Sequence, residues 1–139
     1  MPQKILVVED EFIISLELQD RLQDLGFDIV GNIATGEEAI SFAKTTSPDA
    51  ILMDIHLRGD LSGLEAADKI QSFLTIPVIF ITAYSNLQIL NLIKSKPNYS
   101  YLLKPFTDNE LKQQLRCALS LKTNRQLKFT VKHRSYLKN

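Results

Sequence analysis

The chain has 139 residues, 45% of them apolar, with 16 acidic and 16 Lys/Arg side chains. That length suits one domain with a substantial core and excludes two, and 23% charged residues is ordinary for a globular protein. The single cysteine, Cys117, excludes an internal disulfide and cannot by itself build a thiolate metal site.

No apolar stretch approaches the roughly 20 residues that span a bilayer, so no membrane association is expected. The N-terminus has neither the basic nor the apolar region of a signal peptide. A cytoplasmic location follows as the expectation, with Cys117 on a helix facing the core. The zero net charge hides an asymmetry: 16 acidic and 8 basic residues run up to Glu110, then 8 basic and no acidic ones. A basic last helix with a solvated tail explains this, and a polyanion-binding or domain-linking segment is the other reading.

In chain order, Lys4–Val8 reads as a strand. A helix follows over about Glu11–Leu25, with Phe12, Leu16, Leu18, Leu22 and Leu25 as its apolar stripe. Gly26 should stop it. Strands are expected at Phe27–Asn32, Asp49–Asp54, Pro77–Thr82 and Tyr99–Leu103, since short aliphatic runs separated by amphipathic segments mark buried parallel strands. Thr35 with Glu38, Ser62 with Glu65 and Thr107 with Glu110 match the capping-box pattern at helix starts. The fourth helix, about Ser85–Ser95, spreads Leu87, Ile89, Leu90, Leu92 and Ile93 beyond one face, a surplus that suggests a partner-facing patch. Five strands alternating with five helices give an α/β, doubly wound parallel sheet with helices on both faces. Residues 1–122 form the domain and 123–139 a basic tail or linker, where Leu127, Phe129 and Val131 alternate like a short strand.

Each buried run stops on a polar residue: Val8 on Glu9-Asp10-Glu11, Met53 on Asp54, Ile81 on Thr82, and Leu103 on Lys104-Pro105. In an open parallel sheet these carboxyl ends meet at one edge, where ligands bind. Glu9, Asp10 and Asp54 would repel one another unless a cation lies among them. An oxygen-only set of that kind suits Mg²⁺. Solvated acids near a helix N-terminus are the competing explanation, and for Glu11 the better one. Lys104 can offset the carboxylates and hold a phosphoryl oxygen as a point charge, and the Thr82 hydroxyl can donate to another. The first strand–helix turn has no glycine-rich loop, which argues against nucleotide binding. There is no Gly-x-Ser-x-Gly elbow, and His56 and His133 with one cysteine are too few for zinc.

With these residues assembled, the chain from about Lys4 to Leu121 resembles the receiver domains of two-component response regulators. The resemblance rests on Val7-Val8-Glu9-Asp10-Glu11, Met53-Asp54-Ile55, Ile81-Thr82-Ala83 and Lys104-Pro105-Phe106 in that order. It implies a flavodoxin-like sheet of strand order 2-1-3-4-5. Asp54 would be the phosphoacceptor, serving a sensor histidine kinase or phosphotransfer protein. Glu9, Asp10, Asp54 and the His56 backbone carbonyl would hold Mg²⁺, while Thr82 and Lys104 bind the phosphoryl oxygens. Tyr101 would be the switch aromatic that follows Thr82 inward. The surface of helix four, strand five and helix five would then change, for a homodimer or effector contact. His56 and Tyr84 would flank the phosphoryl group and set how fast water removes it.

Three features depart from the family pattern. The His56–Gly63 segment, with Arg58-Gly59-Asp60, is one residue longer than the common loop. Ser95-Lys96-Pro97-Asn98 replaces the usual Gly-Ala before strand five. Helix four lacks the charged residues of the common DNA-binding subfamily's dimer face, so nucleic acid enters only through an output domain or the basic tail. The expected function is a phosphorylation-controlled signalling switch, not a metabolic enzyme. A phosphorylation-independent docking module of the same fold is the alternative, and a small-molecule phosphatase is disfavoured because no cap insertion is visible.

Overall fold

The structure, a computed structural model, describes residues 2–83 and 86–120. Tyr84 and Ser85 lie outside the described residues, as does everything from Leu121 onward, including the basic tail and its alternating Leu127, Phe129 and Val131. The elements run β1 Lys4–Val8, α1 Phe12–Asp24, β2 Asp28–Ile33, α2 Gly36–Thr46, β3 Ala50–Asp54, α3 Gly63–Gln71, β4 Val78–Thr82, α4 Leu87–Lys94 and β5 Tyr99–Leu103. Residues 108–120 are helical and form the described part of α5. All strands pair in parallel in the order β2-β1-β3-β4-β5, as expected of the flavodoxin-like arrangement. Among the described residues, no helix is long and apolar enough to cross a membrane.

Strand alternation divides the core into two layers. Ile5, Val7, Leu52, Ile79, Ile81 and Leu102 point to one face, where Leu18 and Leu22 of α1 and Leu111, Leu115 and Leu119 of α5 cover them. Leu6, Val8, Ile51, Met53, Val78 and Phe80 point to the other, under Ala39 and Ala43 of α2, Ala66, Ala67 and Ile70 of α3, and Ile93 of α4. With both faces covered, the central strands β1, β3 and β4 are near-continuous apolar runs, which is why they were legible as sequence.

Helix starts follow their caps. Ser62 and Glu65 close a full capping box. Thr107 and Glu110 exchange both bonds at 3.1 Å. Thr35 accepts from Glu38 N–H at 3.2 Å, but the Glu38 carboxylate turns to the Thr35 hydroxyl rather than to its backbone. For α4 the side chain of Asn86 accepts from the N–H groups of Gln88 and Ile89.

Two expectations are corrected. The buried face of α1 is Ser15, Leu18 and Leu22, with Ile14 and Leu25 partly buried, whereas Phe12 is 71% exposed and Leu16 also faces outward. At about 100° per residue, Phe12 and Leu16 sit more than about 100° from the centre of the Leu18–Leu22–Leu25 stripe. The five apolar residues therefore never formed one face. Cys117 is exposed rather than core-facing. The same helical period that buries Leu111, Leu115, Ala118 and Leu119 puts it on the far side of α5.

On α4, burial against the sheet takes Leu90 and Ile93, and Ile89 packs partly beside them. Leu87 and Leu92 remain exposed, the apolar surplus that the sequence pattern indicated.

Candidate functional site

Strand register builds the site. Val8 stands opposite Met53, Asp54 opposite Ile81, and Thr82 opposite Leu103. Glu9 and Asp10 step off β1, Asp54 ends β3 and Thr82 ends β4. Lys104 follows β5, with its N–H donating to the Thr82 carbonyl at 2.9 Å. The five polar residues at four strand ends thus converge on one rim of the sheet, as the parallel fold requires.

Glu9, Asp10 and Asp54 each offer a carboxylate oxygen within 4.8 Å of the others. Glu9 is buried, and its Oε2 accepts from the Asp10 N–H at 3.1 Å. Its Oε1 is the buried side-chain polar atom without a hydrogen-bond partner among the described residues. Lys104 Nζ lies 3.5 Å from that oxygen and 3.8 Å from Asp54 Oδ2. The other Asp54 oxygen, Oδ1, accepts from the His56 N–H at 3.0 Å. A cavity of about 10 Å³ lies beneath, lined by Val8, Glu9, Leu18, Leu52, Asp54, Ile81 and Lys104. The larger groove, about 460 Å³ on α2 around Phe42 and Thr45, contains none of the clustered carboxylates.

Burial, reinforced by the Asp54 carboxylate, pushes Glu9 from 4.5 up to about 8, against the pull of Lys104. Without a cation, then, burial and the neighbouring carboxylate favour the protonated form of Glu9. A buried orphan oxygen, three converging carboxylates and a raised acid fit a hard divalent cation that takes only oxygen ligands.

Residues 5–116 match the response regulator receiver domain. The chain belongs to that family. This receiver is 32% identical over 121 residues to the transcriptional regulatory protein PdtaR of Mycobacterium tuberculosis, covering 86% of this chain and 58% of that protein. It is 35% identical over 108 residues to the phyllosphere-induced regulator PhyR of Methylorubrum extorquens, covering 76% of this chain and 39% of that protein. The solved receiver domain of a modulated diguanylate cyclase from Desulfovibrio desulfuricans G20 superposes with a TM-score of 0.82 at 31% identity, covering 90% of this chain and 99% of that one. The chain spans about half the length of the curated relatives it matches.

Thr82 is buried at the end of β4. Tyr101 is half-buried on β5, packs against the layer under α2, α3 and α4, and has Lys94 Nζ 5.7 Å from its ring centre. The His56 side chain is exposed. Tyr84 lies outside the described residues.

Sequence reasoning missed two positions at this receiver's site and one that braces it. A Cβ on Gly63 would stand 2.1 Å from the Asp54 carbonyl oxygen, so glycine lets α3 start directly against the acid's backbone. Arg58 Nε reaches Asp10 Oδ2 at 3.5 Å. Arg21 braces the loop after Lys104: it donates to Asp108 at 2.6 Å and to the Phe106 carbonyl at 2.8 Å, and lies 4.5 Å over the Phe106 ring. No local pattern announces any of the three, because each depends on a contact between residues distant in sequence or across a loop.

Proposed function

We propose that this receiver is a phosphorylation-controlled signalling switch in which Asp54 accepts a phosphoryl group from a phosphohistidine of a sensor kinase or phosphotransfer protein. The observation that carries the reading is the placement of Asp54 between the His56 N–H and Lys104, with Glu9 and Asp10 beside it. An Asp54 carboxylate oxygen forms the new O–P bond as the donor's N–P bond breaks. The imidazole leaves with that electron pair and takes up a proton.

Glu9, Asp10 and Asp54, with the His56 carbonyl, would hold Mg²⁺, which supplies charge neutralisation for the transferring group. Lys104 offsets the cluster's charge and is near enough to turn to a phosphoryl oxygen on Asp54. The Thr82 hydroxyl donates to another such oxygen, and Tyr101 moves into the space Thr82 vacates. The change reads out on α4, β5 and α5, where Leu87, Leu92 and Leu103 are already exposed for a second copy or an effector. His56 and Tyr84 limit in-line water and lengthen the phosphorylated lifetime.

The domain is a signalling element that acts on its own carboxylate, rather than a metabolic enzyme. The docking-module alternative is the weaker reading, since a scaffold has no use for the whole acidic set with Thr82 and Lys104.

Intact mass after incubation with Mg²⁺ and acetyl phosphate tests the reading. One base-labile phosphoryl adduct, absent without Mg²⁺ and absent in Asp54→Asn, is expected. An adduct that persists in Asp54→Asn overturns the assignment. Following adduct decay after donor removal tests the lifetime claim: small residues at His56 and Tyr84 should speed decay, and an unchanged rate refutes it.

A further inference from the structure

Among the described residues, the acidic pocket has two basic side chains at ion-pair distance, and they divide it between them. Lys104 approaches Glu9 and Asp54 from β5 and is only 26% exposed. Arg58 reaches Asp10 from the β3–α3 loop, with a side chain 77% exposed. Asp10 is the carboxylate that Lys104 does not reach within ion-pair distance, so each cation serves a different part of the cluster.

The loop that delivers Arg58 is built rather than loose. Arg58 pairs in parallel with Thr35, which ties the loop to the start of α2. Three residues on, the Leu61 N–H donates to Glu37 Oε1 at 3.1 Å, and the Gly63 N–H donates to the Ile55 carbonyl at 2.8 Å. Between them Gly59 turns at φ +99°, a conformation that disfavours any side chain, and a Cβ there would meet Glu37 Oε2 at 3.0 Å. The backbone under Arg58 is thus anchored on both sides, while its side chain is exposed enough to swing away.

We propose that Arg58 is a displaceable counterion of Asp10 that sets how tightly the acidic pocket takes a divalent cation. This rests on the metal-site reading given above. The guanidinium and a metal ion would compete for the same Asp10 carboxylate, and a positive charge left at the rim repels a second one. A guanidinium is weakly hydrated and always charged, so it occupies the carboxylate at every working pH and leaves without a proton being exchanged. Metal entry is therefore coupled to release of the Arg58 side chain, which can then face an incoming phosphoryl donor.

Calorimetric titration of the full chain with Mg²⁺ alone, for wild type, Arg58→Ala and Arg58→Lys, tests this. At low ionic strength Arg58→Ala should bind Mg²⁺ about three- to tenfold more tightly than wild type, the scale of an exposed pair plus the relieved repulsion. The gap should narrow as salt is raised, because the pair is solvent-exposed. Arg58→Lys should return towards the wild-type affinity if charge is what acts. Wild-type binding with Arg58→Ala equal or weaker overturns the role of Arg58 and leaves the metal site standing. No Mg²⁺ binding by wild type overturns the metal-site reading and this proposal with it.

Discussion

Replacing Glu9 by Gln removes a titratable group with almost no change of shape, at the most buried acid of the rim. In the metal-free fold this carboxyl is pushed from 4.5 up to about 8, chiefly by burial. Between those values the folded protein holds a proton there that the unfolded chain has lost. Unfolding therefore releases a proton, and raising the pH favours it. The penalty is absent below about pH 4.5, grows through pH 8 and flattens above, by linkage.

At about 1.4 kcal/mol per pH unit, the full displacement sets a ceiling near 5 kcal/mol. Coupling to Asp54 and a partly hydrated Lys104 bring the expectation down to about 2–4 kcal/mol. The glutamine amide does not titrate and carries no such penalty, so the Glu9→Gln protein should gain on wild type steadily from pH 5 to pH 8. The chain has no tryptophan, so urea unfolding in chelator is best followed by circular dichroism. A stability difference that stays constant across this range, or one that shrinks as pH rises, refutes the placement of an uncompensated acid at Glu9.

Other expectations bear on the frame around the site. Gly63→Ala should destabilise the fold by about 2–4 kcal/mol, because the new methyl meets backbone that cannot step aside. The same variant should slow acetyl phosphate labelling, and unchanged stability would show that α3 can retreat from Asp54. Arg21→Ala should lose about 1–2 kcal/mol in urea unfolding through its two hydrogen bonds and the Phe106 stack. Lysine at that position should recover less than half, since it lacks the planar fork; full recovery would make the contact a simple point charge.

The sheet could be read from sequence because its central strands are buried on both faces, so each of those runs and its polar terminus stands out. Ends slipped by a residue: β2 starts at Asp28 rather than Phe27, and β4 at Val78 rather than Pro77. There pairing with a neighbour, not composition, decides where the strand begins. The α1 stripe failed because leucine, isoleucine and phenylalanine occur all round that helix, and hydrophobicity alone does not say which face meets the sheet. Glu9, Asp10, Asp54, Thr82 and Lys104 were legible through their positions at strand ends. Arg58 and Gly63 were not, since one acts from a loop onto a distant carboxylate and the other by the absence of a side chain.

The two sides of the core layer under α2, α3 and α4 differ in how they can respond to force. Ala39, Ala43, Ala66 and Ala67 bring α2 and α3 against the sheet with fully buried methyl groups and no longer side chains at those points. Close-packed methyls have no second rotamer to adopt, so this side resists deformation. Beside it α4 is eight residues long and buries only Leu90 and Ile93, so fewer contacts hold it in place. Strain arising at the rim would meet a stiff wall on one side and a compliant one on the other. The direction in which this molecule yields is therefore set by where its buried helix contacts are fewest.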